Sequence, residues 1–165
     1  MQTTPLIAGK RALPVYPSDN TDIPFPQLVT SGTSGAAVSP GFLEDPSNNK
    51  LNSDYIKAGY IVYNNTSKKS ATVLQVVGPG VVLLNTDIFG NPTQSYSIYA
   101  SQVETANEGC LVYVGGQGGN EDVQVTTSGG DVVIFHKVPL GTYLPIVVKK
   151  VWVTNTTAVN LVAIW

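Results

Sequence analysis

From Pro46 onward, the chain is written in short runs of β-branched and aromatic residues, each stopped by a turn signal. Tyr60-Ile-Val-Tyr63 ends at Asn64-Asn65. Ala71 to Val77 meets Val81-Val-Leu-Leu84 across Gly78-Pro79-Gly80, a compact hairpin turn. Asp87-Ile-Phe89 ends at Gly90-Asn91-Pro92, and Gln94 to Tyr99 alternates so that Tyr96, Ile98 and Ala100 share one face. A second group opens with Cys110-Leu-Val-Tyr-Val114 and breaks at Gly115-Gly-Gln-Gly-Gly119. Asp122 to Thr127 then places Val123 and Val125 together, and Ser128-Gly129-Gly130 turns into Asp131-Val-Val-Ile-Phe-His136. The long run Leu144 to Thr154 and a last strand from Ala158 to Trp165 complete the pattern. No stretch of ten residues carries a 3.6-residue period; Asn52 to Lys57 allows one helical turn before Gly59 stops it.

Strands at this spacing predict an all-β fold built as a sandwich, barrel or jelly roll. The two groups predict two small antiparallel β modules, residues 41–105 and 106–165, with one merged sandwich as the alternative. Each is marginal alone at about 60 residues, so packing against each other or against other subunits has to supply the remaining burial.

The first forty residues read differently. Seven of the 11 prolines fall at or before Pro46, and each removes an N–H and fixes φ. Residues 1–40 are therefore expected to be an extended arm with little regular structure. Leu6, Ile7, Leu13, Val15, Tyr16, Ile23, Phe25 and Leu28 are too many apolar residues for a free linker. The first seven are the candidate assembly contacts. They lie either across a neighbouring subunit or over the arm's own domain.

Composition sharpens this picture. Only 12% of residues are charged, against roughly 25% in ordinary soluble domains, while 42% are hydrophobic. That excludes a disordered chain and leaves a surface weakly protected against association. Net charge is −2, and Lys10–Arg11, Lys68–Lys69 and Lys149–Lys150 are scattered pairs, so direct nucleic-acid binding is not expected. No apolar run approaches the ~18 residues of a membrane span, and the start Met1-Gln-Thr-Thr-Pro5 has no basic export signal.

Candidate chemistry is thin. Cys110 is the one cysteine and sits in an alternating strand, where it reads as a small core residue. His136 is the one histidine; it ends a strand, and no Gly-x-Ser-x-Gly elbow accompanies it. Glu121, Asp122 and Asp131 flank turns and offer oxygen ligands for calcium, but no EF-hand spacing supports that, and they read as solvated turn acids. Gly115–Gly119 lacks the following helix and Gly-Lys-Ser/Thr of a phosphate loop. The expectation is no catalytic residues, no metal, no cofactor and no enzyme. The eight tyrosines leave a carbohydrate-binding face as an alternative.

Two stretches carry a resemblance. One runs from Ser31-Gly-Thr-Ser-Gly35 through Gly59-Tyr-Ile-Val-Tyr-Asn64, Ala71-Thr-Val73, Leu83-Leu84 and Asp87-Ile-Phe89 to Ser95-Tyr-Ser-Ile-Tyr99. The other runs from Gly109-Cys-Leu-Val-Tyr-Val-Gly115 through Gly130-Asp131, Val138-Pro-Leu-Gly-Thr142, Leu144-Pro145 and Thr154-Asn-Thr-Thr-Ala158 to Ile164-Trp165. Together they span residues 31–165 and resemble small virion structural proteins of tailed bacteriophages, particularly those of marine bacteria and cyanobacteria. Two positions depart from the pattern: Tyr60 stands where Asp is common, and Asn155 where Gly is common. Asn is the next best residue at positive φ.

What the resemblance implies is a protein synthesised in the host cytoplasm that ends in the virion, with the head surface as its expected place. There it is expected to act as a capsid decoration (cement) protein, a homo-oligomer and most simply a trimer, partnered by the major capsid protein or other virion proteins. A neck, tail or fibre-base component, or a receptor-binding module, are the alternatives.

Overall fold

In the computed structural model, residues 9–36, 39–106 and 108–165 are described. They form antiparallel sheets with a single 3-10 turn at Val103–Thr105, so the all-β fold expected from the alternation is the fold observed.

The first half is one six-stranded sheet. Its strands are β2 (Leu28–Thr33), β3 (Phe42–Glu44), β4 (Ile61–Asn64), β5 (Lys69–Gly78), β6 (Val81–Leu84) and β7 (Ser95–Tyr99), in the order β2-β7-β4-β5-β6-β3. β5 is long and bulged, pairing β4 with its first residues and β6 with its last. Leu43, Leu51, Ile56, Val62, Val73, Val82, Phe89, Tyr96 and Ile98 form the core under it. As the alternation predicts, Tyr96, Ile98 and Ala100 are buried together. The helical turn is present too, with Ile56 N–H bonded to Asn52 C=O at 2.9 Å.

The second half contains β1 (Ala12–Pro14), β8 (Leu111–Val114), β9 (Glu121–Thr127), β10 (Val132–Val138), β11 (Thr142–Tyr143), β12 (Val148–Val151) and β13 (Leu161–Ile164). Two sheets, β1-β13-β8-β11 and β10-β9-β12, are joined by one segment. Thr142–Val151 lies beside β8 as β11 and stays attached through Leu144 N–H to Val112 C=O and the Cys110–Val148 bridge. It then turns away to pair β9 as β12. The core gathers Val112, Val114, Val123, Val125, Leu144, Val148, Leu161 and Ala163.

Two expectations change here, and a third gains detail. The long run Leu144 to Thr154 is not one strand, because it switches partners midway. Asp87-Ile-Phe89 is not a strand: Asp87 Oδ1 accepts the Phe89 N–H, Asn64 takes the Ile88 carbonyl, and Ile88 and Phe89 drop into the core from a loop. The described part of the arm, residues 9–36, is largely irregular but carries two short strands. Its β1 pairs β13 and its β2 pairs β7, so the proline-rich segment contributes one strand to each half. Proline removes only its own N–H; that of Val15, which follows Pro14, bonds the Leu161 carbonyl at 2.9 Å.

Buried polar networks fix the loops. Tyr96 Oη donates to Asp45 Oδ2 at 2.8 Å and accepts from Asn48 Nδ2 at 2.8 Å, and Ser47 closes the cluster on the other carboxylate oxygen. A side chain at Gly32 would stand 2.5 Å from that Asp45 oxygen, which explains the small residue in Ser31-Gly-Thr-Ser-Gly35. Gln102 Nε2 donates to the Ile23 carbonyl while its Oε1 accepts the Gly109 N–H, so one side chain joins the arm, the linker and the start of the second half.

Candidate functional site

Leu6 and Ile7 lie outside the described residues. The other proposed contacts fall on the chain's own body. Leu13 is half-buried in β1, pairing Ala163. Val15 (6% exposed) and Ile23 (4%) belong to the second core, and Ile23 N–H bonds the Lys149 carbonyl at 2.8 Å. Tyr16 stacks on Tyr63 with ring centroids 4.4 Å apart, bridging to the first half. Phe25 meets Trp165 edge-on at 6.1 Å, under the Arg11 guanidinium. Val15 and Ile23 therefore have no surface left to offer a second subunit, because burial within the chain already uses it.

The residues that bear chemistry do not converge. Glu121 and Asp122 open β9, while Asp131 sits past its far end, a hairpin's length away. Asp122 accepts the Lys137 N–H at 3.0 Å and faces His136 Nδ1 at 3.1 Å. Those two contacts, the backbone one first, hold its carboxyl below the usual aspartate range. Asp19 is lowered in the same direction by the N–H and hydroxyl of Thr154, which ties the arm to the end of β12. Burial pushes the Cys110 thiol up to about 12, and its Sγ faces the Val148 carbonyl at 3.4 Å, so at neutral pH it is a protonated core group with no thiolate character. Among the described residues, no three His, Cys, Asp or Glu side chains are placed to share a metal ion.

A groove of about 450 Å³ runs where the arm crosses between the halves, lined by Pro14, Tyr16, Pro17, Lys68, Asn160 and Leu161. Its volume is that of a small-molecule site, but Lys68 is its single charged group, seated over the Tyr16 ring at 5.5 Å.

What the structure does gather is exposed apolar surface at two places. The outer face of β3-β6-β5 carries Phe42, Leu74, Val77, Val81 and Leu83, with Glu44 and Gln75 beside them, because their neighbours Leu43, Val73 and Val82 take the inner face. Leu74 and Val77 are each more than half exposed. The second place is β10, an edge strand that pairs only β9, with Val132 55% and Val133 38% exposed on opposite faces. Both were missed at the level of sequence, although a signal was there. Val81-Val-Leu-Leu84 and Val132-Val-Ile-Phe135 are apolar at every position, and a strand with one solvated face alternates.

Compared with known proteins, the chain matches no protein-family model, no curated protein and no solved structure.

Proposed function

We propose that this protein is a non-enzymatic structural component of a tailed-phage particle, a decoration protein that binds the outer surface of the assembled head. The particle is suggested by the resemblance over residues 31–165. The observation that favours an assembling part over a catalyst is the pair of exposed apolar surfaces, at β3-β6-β5 and at β10, while among the described residues no cluster of metal-ligating side chains forms. Exposed apolar patches of this kind mark interaction sites. The stapling surface lies on the body. The described part of the arm packs largely within the chain, which favours the body over the arm as that surface. A protein that binds only the finished shell stabilises that shell by mass action.

The test is immunogold labelling of purified particles of the phage that encodes the chain. Label over the head supports decoration, and label over the neck, tail or fibre base moves the protein to that part. Particles without label refute a virion role.

A further inference from the structure

We infer that β10 is a self-association edge, along which a second copy of this chain pairs antiparallel about a twofold axis through Ile134. The backbone leaves one side of β10 open. Gln124, opposite Ile134 in β9, donates its N–H to Thr156 Oγ1 at 3.0 Å and accepts the Trp152 N–H on its carbonyl at 2.9 Å. Both groups of Gln124 therefore point away from β10, which makes Gln124–Ile134 a non-hydrogen-bonded pair. The N–H and C=O of Ile134 then point away from β9. Those of Val132, two residues earlier, do the same, in keeping with the Thr127 N–H to Asp131 C=O bond that closes the hairpin. Among the described residues, nothing pairs with that side. A long apolar edge with free backbone groups is a template for strand addition.

Charge selects the occupant and its register. The exposed stretch starts at Asp131 and stops at the His136–Lys137 bulge, where Lys137 has φ +56°. With Ile134 opposite Ile134 of the second copy, Val133 meets Phe135, and Asp131 meets Lys137 at both ends. Shifting the register by two residues sets Asp131 against Phe135 and loses both ion pairs. Val133 and Phe135 share the face of Val125 and Val123, so the added strand also extends the second core over the exposed Val133. A twofold edge pairing closes at two copies, in place of the threefold ring expected of a decoration protein.

The experiment is sedimentation velocity of the full chain across a concentration series, with Lys137→Asp, Asp131→Lys, the double swap and Ile134→Pro. The wild type is expected to dimerise. Each single reversal turns two attractions into two repulsions and weakens the dimer about tenfold, while the double swap restores it. Ile134→Pro removes only an outward N–H and abolishes the dimer with the fold retained by circular dichroism, as edge prolines do. A wild type that stays monomeric at millimolar concentration overturns the inference. So does a trimer, or a dimer that these variants leave unchanged or that the double swap fails to restore.

Discussion

The two halves of this molecule share a strand order and differ in how they end. In each, an arm strand lies beside the half's last strand, which lies beside a central strand, β4 or β8, which lies beside a stretch of chain that changes partners midway. This gives β2-β7-β4-β5 in one and β1-β13-β8 with Thr142–Val151 in the other. Both β4 and β8 follow a glycine at positive φ, Gly59 at +92° and Gly109 at +119°, and both put a fully buried valine, Val62 or Val112, at the third position after it. Gly59-Tyr-Ile-Val-Tyr and Gly109-Cys-Leu-Val-Tyr thus share a local pattern, although β4 is buried at every position and β8 only at alternate ones. Beyond the stretch that changes partners the halves part. The first ends in β3, three residues long, whose Glu44 carbonyl is taken by the Gly35 N–H. The second ends in the seven-residue β10, which nothing described covers. Among the described residues the other open edges are three residues ending in Pro14, the two residues of β11, and β2, whose apolar Leu28-Val29 gives way to Thr-Ser-Gly-Thr; these are poor templates for pairing. The contrast teaches that, among the described residues, a long apolar open edge is the exception, found at β10.

Breaking the likeness between the halves starts with the arm. Deleting residues 1–24 removes β1, Val15 and Ile23 from the second half and leaves β2 in the first. The expected loss is about 3–6 kcal/mol, on the scale of two core truncations, and it falls on β13 and β12. Hydrogen exchange of the truncated chain measures this; unchanged protection in β13 contradicts it. Next, Leu43→Ala in the first core and Leu144→Ala in the second each cost about 2–5 kcal/mol. Tyr16 on Tyr63 and the Gln102 bonds join the cores, so calorimetry is expected to show one transition lowered by either variant. Two separating transitions show that the halves fold independently.

Smaller effects sharpen the comparison. Asp45→Ala strips the first half of its buried acceptor, leaving Tyr96 Oη without the group it donates to, at a cost of about 1–3 kcal/mol in denaturant titration. Among the described residues the second half has no buried tyrosine–carboxylate pair to match it, so its local exchange is expected to stay constant. The smallest effect is on pH dependence. Asp19 and Asp122 have folded values below their unfolded ones, so the stability they contribute is present above the ordinary aspartate range and is lost as pH falls through the folded values. Asp19→Asn flattens that acid limb slightly, and urea titrations at neutral and acidic pH measure the difference.

Much of this was legible in the sequence. Alternation located β7 and β9 and their buried faces, because an antiparallel strand with one wet face writes its pattern directly. Turn glycines located the β5–β6 and β9–β10 hairpins. The sequence leaves the arm's packing open for a physical reason: its prolines advertise lost N–H groups, while the N–H groups of Val15 and Ile23, which tie it to the second half, leave no mark on composition. Ile88 and Phe89 read as a strand because burial alone makes a run apolar. The open side of β10 needed the β9 register, a fact of pairing that one strand's sequence does not contain.

The central claim is that the arm belongs to the body, leaving assembly to the sheet surfaces. Residue-resolved amide exchange of Val15 and Ile23 in the full chain tests it most directly. The account predicts protection comparable to that of Val112 and Ala163, since both amides bond second-half carbonyls at the core's edge. Exchange at the rate of an unstructured chain contradicts it and returns the arm to the role of a free tether.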